Sequence, residues 1–122
     1  MTAPDPGAIP TIGWITLDAH DTQALARWWQ GLLGGEIRVD QDGDVFLESG
    51  SLPLLFLQND DLKTVKNRMH LDLRVERYDD AVARALALGA TPADDVHRCD
   101  DWRVLRDPEG NEFCIIRPKG AG

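Results

Sequence analysis

A chain of 122 residues, 43% hydrophobic and 28% charged, has the length and mix of one soluble globular domain. Its net charge of −8, with no Lys/Arg cluster, speaks against a nucleic-acid partner, since phosphate binding needs a basic footprint. The opening MTAPDPGAIP lacks the basic and apolar stretches of a secretory signal, and no apolar run reaches bilayer-spanning length. A cytoplasmic protein without a membrane partner is therefore expected.

Residues 1–9 read as a flexible leader. IGWITLDA (12–19) alternates as a strand, and DTQALARWWQGLLGG then carries Leu25, Trp28, Trp29, Leu32 and Leu33 on one helical face. Asp21 is suited to cap that helix and Gly34 to stop it. Three strands are predicted next, at 36–40, 44–49 and 53–58, with turns at Gly43 and at Gly50–Ser51. A polar connector (59–67) leads to a second round. It comprises the strand RMHLDLRVE (68–76), a helix over 79–89 ending at Gly89, and strands at 91–96, 102–107 and 111–117. The DPEG turn (107–110) suits a type I turn followed by a glycine bulge, hence a tight hairpin. Residues 119–122 read as a tail.

Both rounds are βαβββ, module one over 12–59 and module two over 68–117, within a single domain at 10–118. The expected fold class is α+β: two tandem βαβββ modules forming a curled mixed sheet around a central cleft. A helix covers one face of each module's sheet, and pairing the modules would enclose the other face.

Side chains alternate along a strand, so the cleft lining can be proposed strand by strand. Trp14, Thr16 and Asp18 would line it from the first strand, and Leu54, Phe56 and Gln58 from the last strand of module one. Module two would add His70, Asp72 and Arg74, then Glu112, Cys114 and Ile116. Trp102 and Val104 share a face, which of the two being open. Such a lining, aromatic with a few placed polar groups, is what small-molecule sites look like. His70 is read as a polar cleft residue hydrogen-bonded to Asp72 or a backbone carbonyl, or as an acid or base working with Asp72. Arg74 is expected to pair with Asp72 or Asp18, or else to clamp a ligand carboxylate. Cys114 reads as a small buried space-filler, or as a nucleophile if His70 faces it. Cys99 and Cys114 form no CxxC pair and are expected to be reduced thiols. Trp28 and Trp29 are assigned to the core, and His20 and His97 to the surface. The charged run HRCDDW (97–102) reads as a solvated loop.

The tandem modules, with HLDLRV opening the second and DPEGNEFCI closing it, resemble the glyoxalase/bleomycin-resistance/dioxygenase superfamily, the vicinal oxygen chelate fold. KNRMHLDLRV and RDPEGNEFCII resemble more narrowly its actinobacterial glyoxalase-like branch. The resemblance implies that metal-bearing members take one ligand from the first and one from the last strand of each module. Those positions correspond here to Trp14, Phe56, His70 and Cys114. Only His70 is a usual ligand, so no cofactor is expected; if a divalent metal is present, His70 and Cys114 would hold it, with Asp72 as a third donor. The expected function is a glyoxalase-like binder that sequesters a small aromatic or hydrophobic molecule in the inter-module cleft. The alternatives are a lyase or isomerase acting through His70 with Asp72, and a domain acting through protein contacts. The resemblance also allows a homodimer.

Overall fold

The computed structural model describes residues 6–8, 12–50, 52–95 and 101–118. His97, Cys99 and most of the charged loop lie outside the described residues, as do the tail and most of the leader. After a 3-10 turn at Pro6–Ala8, module one runs β1 (Ile15–Ala19), α1 (Thr22–Leu33), β2 (Glu36–Val39), β3 (Val45–Glu48) and β4 (Leu54–Gln58). Module two repeats this with β5 (Leu71–Arg74), α2 (Tyr78–Ala87), β6 (Thr91–Pro92), β7 (Trp102–Arg106) and β8 (Glu112–Ile116). Each module forms one four-stranded mixed sheet, ordered β1-β4-β3-β2 and β5-β8-β7-β6. The first and last strands of each module are parallel and the remaining pairs antiparallel. No helix among the described residues is long and apolar enough to cross a membrane.

The local signals act as expected. The Asp21 carboxylate accepts the Ala24 amide at 3.0 Å, so the first turn of α1 is capped, and Gly34 ends the helix at φ 77°. In the DPEG turn Gly110 adopts φ 87°, and the Asp107 amide donates to the Asn111 carbonyl at 2.9 Å, closing the β7–β8 hairpin. At the start of β2, Gly35 has φ 96°, and a Cβ there would lie 2.4 Å from the Glu48 carbonyl oxygen. That neighbour is backbone and cannot step aside. Gly35→Ala is expected to lower stability by about 2–3 kcal/mol. Gly43→Ala, at φ 85° but with open space around it, should cost distinctly less. Urea unfolding of the two variants checks the difference.

A core shared by both modules lies on the helix side of the sheets. Leu25 and Trp29 of α1 and Val82 and Ala85 of α2 join Leu47, Phe56, Leu105, Phe113 and Ile115 in it. The contacts that join the modules are specific. Trp29 packs against Phe113 at 5.0 Å between ring centroids, and its indole Nε1 donates to the buried Asp107 carboxylate at 3.0 Å. The Trp28 indole donates to the Leu88 carbonyl at 2.8 Å, and the Arg84 guanidinium donates to the Leu32 and Gly31 carbonyls at the end of α1. Glu109, in the DPEG turn, accepts the His20 and Asp21 amides at 2.6 and 3.0 Å. The hairpin of module two thereby ties down the strand-to-helix turn of module one.

Candidate functional site

In module two the alternation places the expected residues on one face. Asp72 stands opposite Cys114 in the β5–β8 ladder, and Val104 opposite Cys114 in β7–β8. Trp102 stands opposite Ile116, so Trp102 and Val104 both look to the His70–Asp72 side. This settles the face that alternation within β7 left open. The residues enclose a cavity of about 480 Å³. Its walls are Trp102, Val104 and Ile116; His70, Asp72 and Cys114 stand together, and Lys66 and Glu112 complete the lining.

The three polar groups form a tight cluster. His70 Nδ1 lies 2.9 Å from Asp72 Oδ1 and 3.9 Å from Cys114 Sγ. One donor atom from each of the three residues falls within 4.8 Å of the other two. Burial pushes the Cys114 thiol up to about 11, helped by the Asp72 charge and hydrogen bond, with Lys66 opposing. The thiol is therefore protonated at neutral pH, and a ready thiolate nucleophile does not exist here.

Module one departs from the sequence expectation. Thr16 stands opposite Leu55 and Leu17 opposite Phe56 in the β1–β4 ladder. The face that carries Trp14, Thr16 and Asp18 therefore continues into Leu55 and Leu57. Phe56 lies on the helix side and is only 1% exposed. Its expected place on the cleft is corrected by a one-residue register difference, which turns a whole strand over. Leu54 is likewise in the core. The Gln58 amide reaches the His20 carbonyl at 2.7 Å and fastens the end of β4 to β1. Trp14 is half exposed and packs edge-on to Phe46 at 5.8 Å. Asp18 accepts from Asn59 at 3.2 Å.

Two module-two residues also do other work than expected. Arg74, expected to pair with an acid or clamp a ligand, donates to the Arg117 carbonyl at 3.0 Å. Glu112 is buried, and its carboxylate accepts the Asn67 amide at 2.7 Å, Lys63 Nζ at 2.9 Å and Arg106 Nε at 3.0 Å. Burial opposes the charge, but these three donors outweigh it and hold the carboxyl at about 2. Glu112 thus anchors the 59–70 connector against β8 and has little capacity left for a ligand. Sequence reasoning missed Lys66 on the cleft wall, for which a lone lysine in a polar connector leaves no signal. It missed Leu55 too, where adjacent apolar residues erase the alternation.

A second opening of about 610 Å³ runs between β1 and the approach to β5. Thr16 and Asp18 line it on one side and Met69 and His70 on the other, with Trp29 and Phe113 also bordering it. His70 therefore borders both openings.

Two βαβββ modules around a shared core, each with one four-stranded mixed sheet, define the class of fold, and one sheet carries a polar cluster on its face. The glyoxalase-like domain model matches residues 14–116, and the chain belongs to that family, within the glyoxalase/bleomycin resistance/dioxygenase superfamily. Solved structures agree in fold. The genomically encoded fosfomycin resistance protein FosX of Listeria monocytogenes superposes with a TM-score of 0.74 at 17% identity, over 92% of this chain and 94% of that one. A glyoxalase/bleomycin resistance protein/dioxygenase family enzyme of Burkholderia phytofirmans gives 0.71 at 20% identity, over 88% and 98%. Hypothetical protein SA1046 of S. aureus gives 0.71 at 17%, over 90% and 95%. A comparison with curated proteins finds no match.

FosX of Listeria has been solved with Mn(II), which raises the question of whether this chain's donors fit a metal shared between the modules. Of the two module-one positions, one holds Trp14 and the other, by the observed register, Leu55. Neither offers a donor atom, and a donor set drawn from both modules does not fit this chain. Module two alone brings three donors together in His70, Asp72 and Cys114.

Proposed function

We propose that this glyoxalase-like protein binds a small, flat, largely apolar molecule with one polar end in the module-two cleft. The observation that carries the reading is the placing of the His70–Asp72–Cys114 cluster in a 480 Å³ cavity whose walls are Trp102, Val104 and Ile116, with Lys66 and Glu112 at its edge. The aromatic wall offers Trp102 for stacking, and the His70 ring offers a hydrogen-bonding partner for a hydroxyl or amide on the ligand. The role is sequestration, of the resistance type. That two similar folds carry the name fosfomycin resistance protein supports a resistance role, by analogy of fold only, and does not bear on sequestration.

A second reading is favoured by one observation, the 2.9 Å contact between His70 and Asp72. A carboxylate that orients an imidazole also stabilises it when protonated, and such a pair serves as a general base in lyase or isomerase chemistry. Binding must precede either role, so binding is tested first.

Naphthol is a suitable probe, having a flat aromatic body and a single hydroxyl. It is expected to quench tryptophan fluorescence with one-to-one stoichiometry. His70→Ala and Trp102→Leu should each weaken its affinity about tenfold or more, corresponding to ~1.4 kcal/mol, with near-ultraviolet circular dichroism unchanged. Wild-type affinity in both folded variants would place the ligand elsewhere and end the reading.

A further inference from the structure

We infer that the molecule held in the module-two cleft is a flat aromatic monocarboxylate, and that Lys66 is the residue that selects its acid group. This rests on the proposed binding function and names the chemistry of the ligand's polar end. The charges of the cavity are the first support. Lys66, Asp72 and Glu112 are the charged side chains on its lining, with His70 beside them. Both acids are engaged: Asp72 meets His70 at 2.9 Å, and Glu112 accepts from Asn67, Lys63 and Arg106. Lys66 Nζ donates to the Asn67 carbonyl at 3.1 Å and meets no carboxylate among the described residues. The cavity therefore offers one ammonium without a counter-charge, beside apolar walls that suit a flat hydrocarbon body. A single ammonium matches a single negative charge. Arg74, the cation that alternation offered for a ligand carboxylate, is bonded to the Arg117 carbonyl and does not line this cavity.

The way Lys66 is held is the second support. The connector around it has no regular secondary structure, so nothing local fixes its backbone. Glu112 supplies that restraint from both sides, binding the Lys63 ammonium before Lys66 and the Asn67 amide after it. Lys63 also donates to the carbonyl of Val65, the residue directly before Lys66. The backbone of Lys66 is thereby pinned to β8, the strand that carries Cys114 on the same lining. The Lys66 charge is felt there, opposing the burial that raises the Cys114 thiol. A pinned backbone leaves less freedom to lose when the ammonium closes on a ligand. Partial enclosure by the cavity walls also makes the ion pair stronger than one in open water. The net charge of −8 repels anions at long range, so an anionic ligand needs a local cation of this kind.

The test compares 2-naphthoate with 2-naphthol on the full-length protein at neutral pH, where the first is ionised, the second is neutral and the aromatic bodies are the same. Titration followed by tryptophan fluorescence should give about tenfold tighter binding of naphthoate, on the scale of a hydrogen bond to a charged group. Lys66→Met keeps most of the stem and removes the charge. It should abolish the preference, weakening naphthoate about tenfold and leaving naphthol unchanged. Lys66→Arg should retain the preference. Arg27→Met, at an exposed position of α1 outside the cavity, removes the same charge and should change neither affinity. A preference that survives in Lys66→Met, or an equal loss in Arg27→Met, would overturn the inference. Naphthol bound by wild type without any preference for naphthoate would overturn it alone, and binding of neither probe would overturn it together with the proposed function.

Discussion

Trp29→Ala is expected to lower the stability of the folded chain by about 3–5 kcal/mol. The side chain is 1% exposed and lies where the modules meet. Its ring packs against Trp28 at 5.2 Å and Phe113 at 5.0 Å, and its Nε1 donates to the Asp107 carboxylate at 3.0 Å. Truncation leaves a cavity and takes a donor from a buried acid, and the two losses add. Trp29→Phe separates them. It refills most of the volume and should cost about 1.5–3 kcal/mol, the range for a hydrogen bond to a charged group. Urea unfolding followed by circular dichroism gives both values. A loss below about 1 kcal/mol for the alanine variant, the scale of an ordinary substitution, would show that the inter-module contact carries little of the stability.

The second large effect is expected at Glu112. Glu112→Gln keeps the shape but removes the charge facing Lys63 and Arg106, while Arg106 retains its bidentate pair with Asp95 at 3.0 and 2.9 Å. Breaking a buried pair from one side costs about 3–5 kcal/mol. The bonds to Asp95 leave Arg106 partly paired, so the lower end is expected. The same carboxylate sets a pH dependence. Its folded value of about 2 lies below the ordinary glutamate value of 4.5, so its stabilisation is fully present above pH 4.5 and lost as pH falls toward 2. The part lost is on the order of 3 kcal/mol. Wild type and Glu112→Gln should therefore differ most at neutral pH and converge in acid. A difference that stays constant from neutral pH down to about pH 2 would contradict the ionised network. Because Asn67 and Lys63 belong to the connector that leads to His70, Glu112→Gln should also loosen the approach to the cleft.

The elements were largely legible because their signals are local. Asp21, Gly34, Gly89 and the DPEG turn act through residues a few positions away, and all four behave as read. The β5 strand showed its two faces for the same reason. His70, Asp72 and Arg74 alternate with Leu71 and Leu73, and no tertiary information is needed to separate them. That alternation also brought Cys114 opposite Asp72 once β5 was paired with β8.

The face of β4 was not legible. PLLFLQ is apolar at consecutive positions, so either alternate set could be the buried one. Only pairing with β1 decided it, placing Phe56 beside Leu17 in the core and Leu55 beside Thr16 on the other face. The work of charged side chains was equally hidden. Glu112 and Arg74 stand on the face that alternation gave them, yet apart from the nearby Arg106 their partners, Asn67 and Lys63 for one and the Arg117 carbonyl for the other, are 43 to 49 residues away. By itself, then, the sequence determined the elements, their caps, the repeated module and the polar face of β5, since these depend on neighbours along the chain. The inter-strand register, the partners of the charged groups and the convergence of His70, Asp72 and Cys114 were decided only by tertiary structure. Each depends on which distant backbone lies alongside, and a slip of one residue there turns a strand over without changing its local pattern.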